Sequence, residues 1–265
     1  SAPVEYTAES LGKDQVMNFF YAYIMIFALY MVILLYGQMV ATNVATEKSS
    51  RAMELLITSA KPTAMMFGKV LSACVAGLTQ LVAVFGSALL FFNVNKDYWG
   101  GNEIAKMLLD IPPELVVFML LFFLLGFLIY AFLFGAVGSM ASKLEDINTM
   151  VTPIMLMFIF AFIVVMTSMG SGNVDSGLMK FCSFFPFTSP MAMFTRIALS
   201  DVPVLEIIIS VALLAVSIVG VGFISAKIYR MGVLLYGKPP KFKEIFKMCF
   251  VFNDGVYGDF FIYCL

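Results

Sequence analysis

The chain has 265 residues, of which 62% are hydrophobic and 12% are charged, and its mean hydropathy is +0.97. Because soluble domains carry about 25% charged residues, this composition excludes an ordinary soluble domain and indicates a polytopic membrane protein. The chain contains no histidine, which excludes Ser/His and Cys/His catalytic dyads and HExxH zinc motifs. The four cysteines are scattered without a CxxC pair, so the sequence predicts neither a metal site nor a disulfide framework.

Five stretches without any charged residue are each long enough to cross a bilayer as a helix. A membrane-spanning helix needs about 20 apolar residues, and a charge at its centre costs about 2.5 to 3.5 kcal/mol on insertion scales. The sequence therefore predicts an all-α polytopic protein with five transmembrane helices. The expected spans lie at about 16–41, 65–94, 114–140, 149–169 and 204–227.

The positive charges are unevenly divided between the two sides of these spans. Eleven Lys and Arg residues fall on the side that holds residues 42–62 and the C-terminus, and five fall on the other side. Since cytoplasmic loops carry the excess of positive charge, we expect a cytoplasmic C-terminus and an N-terminus outside. An outside N-terminus requires an upstream span, so we expect a first transmembrane helix to precede this sequence, which begins without Met.

The polar segment 45–59 between the first two spans has the pattern of a short amphipathic helix. Glu47 and Arg51 are four residues apart and Arg51 and Glu54 three apart, which is the spacing of ion pairs on one helix face. Pro62 is expected to end this helix. A different face would hold the apolar residues Met53, Leu56 and Ile57. Two interpretations stay open on this pattern: a solvated or interfacial connector, or a coupling helix that fits into a groove of a partner.

The apolar segment 184–200 is only about half as long as a bilayer is thick. It contains Pro186 and Pro190 and ends near Arg196. This pattern predicts short broken helices that re-enter the outer leaflet. An interfacial cap is the alternative interpretation.

A nucleotide site on this chain is not expected. The run from Gly232 to Lys238 fits G-x-x-x-x-G-K, but Pro239 stands where a P-loop needs Ser or Thr. The run also follows a membrane helix instead of a strand. We therefore predict no enzymatic activity and no cofactor on the chain. The tail 248–265 remains unassigned.

Polar residues within the spans favour contacts between helices over a substrate path. They are Asn18, Gln38, Gln80, Asn148 and Thr152.

The run from Glu47 to Ser59, followed by Lys61-Pro62 and Gly68-Lys69, resembles the signature of ABC-2 type permeases, the membrane subunits of one class of ABC exporter. Two further segments are similar to that family. Gly138 to Asp146 resembles its short inner loop between the fourth and fifth helices, and Phe185 to Pro190 with Arg196 resembles its outer segment before the last helix.

The resemblance covers about residues 15 to 245, and within the family the sodium-efflux (NatB-like) permease group is the most similar. It implies a six-helix domain with a large external loop after the first helix, so the five spans here would be the second to the sixth. Residues 1–247 would then be an ABC-2 transmembrane domain that lacks its first helix. Its expected location is the cell membrane.

The resemblance implies a permease subunit that exports sodium ions or a small toxic solute, with ATP and Mg²⁺ bound by a separate ABC ATPase. A second permease copy or a relative would complete a dimer surrounded by lipid, and no nucleic acid is expected. Residues implied to contact the ATPase are Glu47, Lys48, Arg51, Glu54 and Leu55. Residues implied to form an outer gate are Pro186, Pro190 and Arg196.

Alternatives remain at this stage. An ABC-2 exporter of a peptide, drug or lipid is one, and an ATP-independent carrier or channel or a structural membrane scaffold is another. Intramembrane acidic residues or an inverted repeat would favour a carrier, and neither is found in the sequence.

Overall fold

The computed structural model describes residues 11–95 and 113–234. Its regular elements there are all helices: α1 (Leu11–Ser49), α2 (Ala52–Ser59), α3 (Pro62–Val94), α4 (Pro113–Met140), α5 (Asp146–Gly170), α6 (Gly177–Phe184), α7 (Ser189–Leu199) and α8 (Val204–Leu234). Helices α1, α3, α4, α5 and α8 are long and apolar enough to cross a membrane. The prediction of an all-α polytopic membrane protein with five spans is therefore confirmed. The tail 248–265 and most of the P-loop-like run lie outside the described residues.

Local sequence explains where several helices begin and end. Pro62 is the first residue of α3, a position where its missing N–H costs no hydrogen bond. Ser176 caps α6 by accepting a hydrogen bond from the Met179 backbone N–H. Between α1 and α2 the chain turns at Arg51, whose φ of 57° is left-handed. The long apolar runs between these start and stop residues form helices because, in a bilayer, a helix satisfies the backbone hydrogen bonds within the segment.

Helix α4 occupies the centre of the bundle. It packs against α1 and α8 along much of its length and also contacts α3, α5 and α7. In its most apolar stretch 56% of residues are buried within the protein, compared with 22% for α8. Helix α4 is therefore shielded by other helices, whereas most of α8 faces outward.

The bundle has two ends, which we call the α2 end and the α7 end. The α2 end contains α2, the turn between α4 and α5, and the C-terminal part of α8. The α7 end contains α6, α7 and the first turns of α8. Glycines allow the helices to approach closely at both: a Cβ on Gly138 would lie 2.5 Å from the Ala41 carbonyl oxygen, and a Cβ on Gly126 would lie 2.7 Å from the Pro190 ring.

Helices α6 and α7 form a hairpin that folds back among the long helices. The Tyr130 hydroxyl of α4 donates a hydrogen bond to the Phe187 carbonyl at the tip of the hairpin, at 2.6 Å. At 1.5 Å per residue, Tyr130 lies about 25 Å along α4 from Pro113. The hairpin therefore reaches more than half-way along α4, and α7 packs against α1, α4 and α5.

Candidate functional site

Helix α2 presents charged and apolar side chains outward. Met53 is fully buried and anchors the helix, whereas Arg51 and Glu54 are exposed and Leu55 is 75% exposed. We call Arg51, Glu54 and Leu55 the α2 surface. Met53 holds one side of this short helix against the protein, while a cation, an anion and a leucine are exposed on the other. This mixture of charged and apolar side chains is typical of a protein docking surface.

The predicted ion pairs within one helix spanning 45–59 are wrong. Helix α1 continues beyond residue 41 to Ser49, and the left-handed turn at Arg51 separates it from α2. Glu47 therefore lies on α1, where it forms an ion pair with Lys69 of α3 instead of with Arg51. The break rotates α2 away from the face of α1, so the spacing rule for a single helix does not apply.

Lys48 lies inside the protein and not on its surface. It is 1% exposed, and its Nζ donates a hydrogen bond to the Ser139 carbonyl at 2.7 Å. Ser139 belongs to the last turn of α4, where carbonyls have no partner within the helix and the helix dipole favours a cation. Lys48 thus fastens the end of α1 to the end of α4.

We call the buried and half-buried polar residues at this end the Glu47 cluster: Glu47, Lys48, Lys69, Ser139 and Tyr229. Tyr229 is fully buried on α8. A Cβ on nearby Gly232 would overlap Ser139, so α8 approaches α4 closely here. The cluster therefore connects α1, α3, α4 and α8 at the α2 end.

At the opposite end, Arg196 is buried and paired with two carboxylates. It is 2% exposed, its Nε donates to Asp175 Oδ1 at 3.0 Å, and its Nη2 lies 2.9 Å from Glu206 Oε2. Asp175 lies in the segment before α6, and Glu206 lies in the first turn of α8. Arg196 therefore connects α7 with the chain on both sides of the hairpin.

The two prolines predicted at the outer gate lie at the turn of the hairpin. Pro186 is half-buried in the connection between α6 and α7, and Pro190 is buried at the start of α7 against Gly126. These positions bring Pro190 and Arg196 onto the same buried helix, while Pro186 lies in the preceding turn.

Three serines hold the hairpin to α8. Ser210 Oγ donates to the Ser183 carbonyl at 2.7 Å, and the hydroxyls of Ser189 and Ser210 are 2.8 Å apart. All three side chains are buried. Together with the pair between Arg196 and Glu206, these bonds join α6, α7 and α8 into one block.

One face shared by α1 and α5 is polar and open. Gln38 Nε2 donates to Asn148 Oδ1 at 3.2 Å, which confirms the predicted hydrogen bond between helices for this pair. The neighbouring Thr149 and Thr152 of α5 are exposed, and Thr42 of α1 is half-buried. We call these five residues the α1–α5 polar face. The Thr42 and Thr152 hydroxyls donate to carbonyls of their own helices, and the first turns of α5 lie at the α2 end.

Sequence reasoning missed the partners that complete both ends. They are Lys69, Ser139 and Tyr229 at one end, and Asp175 and Glu206 at the other. Lys69, Asp175 and Glu206 gave a signal, because each directly flanks a charge-free stretch. Among the described residues there is no group of three or more acidic or Cys side chains that could hold a metal ion.

Comparison with known proteins adds the family. The ABC-2 family transporter protein family matches residues 1–227. The chain is 36% identical over 225 residues to the uncharacterized protein YhaP of Bacillus subtilis (strain 168), covering 84% of this chain and 53% of that protein. It is 31% identical over 225 residues to the uncharacterized protein MJ1024 of Methanocaldococcus jannaschii, covering 85% of this chain and 52% of that protein.

The chain therefore spans about half the length of the curated relatives it matches, and neither relative's name indicates a substrate. No solved structure gives a significant match. The family match covers most of the chain and includes both the segment around α2 and the buried hairpin of α6 and α7. The chain belongs to the ABC-2 family of transporter membrane proteins.

Proposed function

We propose that this chain is the membrane-spanning permease subunit of an ABC exporter and that a separate ABC ATPase docks on the α2 surface. The observation that carries the proposal is the exposed trio Arg51, Glu54 and Leu55 on a short helix braced by buried Met53. Membership of the ABC-2 family supports the same partner. ATP and Mg²⁺ would be bound by that ATPase.

The positive residues orient the protein in this proposal. Arg51, Lys61, Lys143, Lys227 and Arg230 all fall at the α2 end, so the positive-inside rule puts that end in the cytoplasm. The α7 end then faces outward. Helices α6 and α7 would re-enter the membrane from outside, and Pro186, Pro190 and Arg196 would form the outer gate.

The pathway in this proposal runs along the α1–α5 polar face, at the interface with a second permease copy or a relative. ATP-driven closure of the ATPases moves α2, and the long helices follow as rigid bodies between two states. Contacts with the ATPase are made by Arg51, Glu54 and Leu55. The predicted residues Glu47 and Lys48 support α2 from within the protein.

The proposed substrate is a sodium ion or another small solute. Sodium or a small toxic solute follows from the resemblance to the NatB-like group, and the polar face offers amide and hydroxyl oxygens without a carboxylate. A peptide, drug or lipid is the alternative cargo of an ABC-2 exporter. A carrier, channel or scaffold that works without an ATPase is the alternative from another class.

The test is co-purification of the full-length protein from detergent with its ABC ATPase, identified by mass spectrometry, followed by measurement of ATP turnover. Glu54→Arg reverses a charge on the α2 surface and is expected to abolish ATPase binding. Asp201→Arg reverses an exposed charge at the α7 end and is expected to keep binding. Failure of any ABC ATPase to co-purify with the wild-type protein would contradict the proposal.

A further inference from the structure

Two buried polar atoms of the Glu47 cluster have no hydrogen-bond partner among the described residues. They are Glu47 Oε2, whose companion oxygen pairs with Lys69, and the Tyr229 hydroxyl. Buried polar atoms without partners are rare because each forfeits a hydrogen bond that water would supply. A second conformation that gives these atoms hydrogen-bond partners would therefore recover free energy that this conformation lacks.

The two atoms are chemically complementary. A phenol hydroxyl donates and a carboxylate oxygen accepts. Both groups lie near Ser139, because Lys48 beside Glu47 donates to the Ser139 carbonyl and Gly232, one turn beyond Tyr229, packs against Ser139. A hydrogen bond between a neutral donor and a carboxylate is stronger than one between neutral groups. A movement of α1 relative to α8 that brought these two atoms together would therefore replace two unsatisfied groups with a strong bond.

Glu47 is placed to follow the movement of α2. It lies on the last turns of α1, one helical turn before the break at Arg51. Force on the α2 surface passes through that short connection into the end of α1. Within the Glu47 cluster, Glu47 and Lys48 are the residues closest in sequence to α2. The Lys48 Nζ is already bonded to α4, so Glu47 is the charged group left to respond.

Tyr229 is placed to pass the movement on. It lies on the C-terminal part of α8, about 28 Å along the helix from Ser210 at 1.5 Å per residue. Ser210 and Glu206 bind α8 to the hairpin of α6 and α7 through Ser189 and Arg196. A displacement at Tyr229 therefore reaches the hairpin through one continuous helix.

We propose that Tyr229 is a positioning residue of the transport cycle: movement of α2 brings Glu47 onto its hydroxyl, and α8 carries that displacement to the hairpin of α6 and α7. The arrangement described here, with Glu47 paired to Lys69, is one of the two states. This inference rests on the proposed function, because an ABC ATPase supplies the movement.

The experiment uses the full-length protein co-purified with its ABC ATPase and compares Tyr229→Phe with Tyr36→Phe. Tyr36 lies on α1, and its hydroxyl has no hydrogen bond to any described residue, so its loss is a matched control. Tyr229→Phe is expected to retain the bound ATPase and to lower ATP turnover about tenfold, since a hydrogen bond to a charged group is lost in one state only. Tyr36→Phe is expected to turn over like the wild type.

A second readout separates positioning from simple structural support. Melting temperature is measured without nucleotide and after trapping with ATP and vanadate. Tyr229→Phe is expected to match the wild type without nucleotide and to melt at a lower temperature only when trapped. The double variant Glu47→Ala/Tyr229→Phe is expected to lose no more turnover than Glu47→Ala alone.

Wild-type turnover in Tyr229→Phe overturns the inference, as do additive losses in the double variant or a lower melting temperature without nucleotide. In each case the bound, active ATPase leaves the proposed function standing. The proposed function itself fails only when the wild-type protein carries no ABC ATPase.

Discussion

Helices α2 and α7 are both too short to cross a membrane, yet their surroundings are opposite. Only Met53 of α2 is buried, whereas α7 is buried over most of its length, including Arg196. Helix α2 lies beside the bundle, while α7 is surrounded by α1, α4, α5 and α6. Two helices of similar length thus differ in what covers them: α2 leaves most of its side chains exposed, whereas α7 is enclosed by other helices.

The two cations that are buried within the described part of the chain, Lys48 and Arg196, also differ in their partners. Lys48 binds a helix-end carbonyl and Arg196 binds two carboxylates. Lys48 joins two helices that are 91 residues apart in sequence, whereas Arg196 joins α7 to the segments on either side of the hairpin. The two ends are therefore held by different chemistry.

The largest effect is expected from removing both carboxylate charges at the α7 end. Asp175→Asn with Glu206→Gln leaves the guanidinium of Arg196 buried without an anion. Because breaking a buried pair by neutralising one side costs about 3 to 5 kcal/mol, we expect the free energy of unfolding to fall by about that much, reduced by the partial exposure of both acids. Denaturant unfolding of the full-length protein in detergent measures it. Asp201→Asn, at an exposed acid of the same end, should leave stability unchanged; equal losses would show that the pairing is unimportant.

A smaller loss is expected from crowding the central helix at the α2 end. In Gly138→Ala the new methyl group meets the Ala41 backbone at 2.5 Å and 2.7 Å, and overpacking costs about 1 to 3 kcal/mol. We expect the variant to be less stable because the contacting atoms of Ala41 belong to the backbone and cannot rotate out of the way as a side chain could. Gly220→Ala on α8 meets nothing within 4 Å and should stabilise the helix by up to about 1 kcal/mol. Melting temperatures that move in the same direction for both variants would contradict the close approach of α1 and α4.

A substitution at Arg51, in the turn before α2, is expected to change stability and ATPase binding in opposite directions. Arg51→Gly removes a side chain from a left-handed residue, a conformation that costs non-glycine residues about 1 to 2 kcal/mol. We expect the variant to be as stable as the wild type or more so, and yet to bind less ABC ATPase because the α2 surface loses its cation. Melting temperature and co-purified ATPase are measured on the same sample. A destabilised variant would mean that the arginine side chain supports the fold.

The smallest effect is expected at the serine network. Ser210→Ala removes the bonds to Ser189 and Ser183, and hydrogen bonds between membrane helices average about 0.6 kcal/mol. Ser217→Ala on the same helix, where the structure describes no side-chain hydrogen bond, is the matched control. Denaturant unfolding of both variants measures the difference, and a loss at Ser217 as large as at Ser210 would contradict the network.

Much of the fold was predictable because a helix that crosses a lipid bilayer needs a long stretch of apolar residues. Stretches such as 115–142 and 147–174 contain no charged residue, so five spans followed from counting alone. The break at Arg51 was not predictable, since arginine has no preference for left-handed backbone. The spacing of Glu47 and Arg51 therefore suggested one continuous face that the structure divides.

The site was predictable only where its residues are close in sequence. The exposed residues of α2 belong to one short motif. Lys48 and Ser139 are separated by more than 90 residues, and Arg196 meets Asp175 and Glu206 only after the hairpin has folded back. Charge and hydropathy patterns carry no information on such pairings, because each depends on how helices pack.

The most direct test of the central claim places a photoreactive benzoyl-phenylalanine at Leu55 and, in a separate sample, at Leu205. The two leucines are 75% and 68% exposed and lie at opposite ends of the bundle. We predict that illumination of membranes links position 55, and not position 205, to an ABC ATPase identified by mass spectrometry. An ATPase captured through position 205, or none captured through position 55, would contradict it.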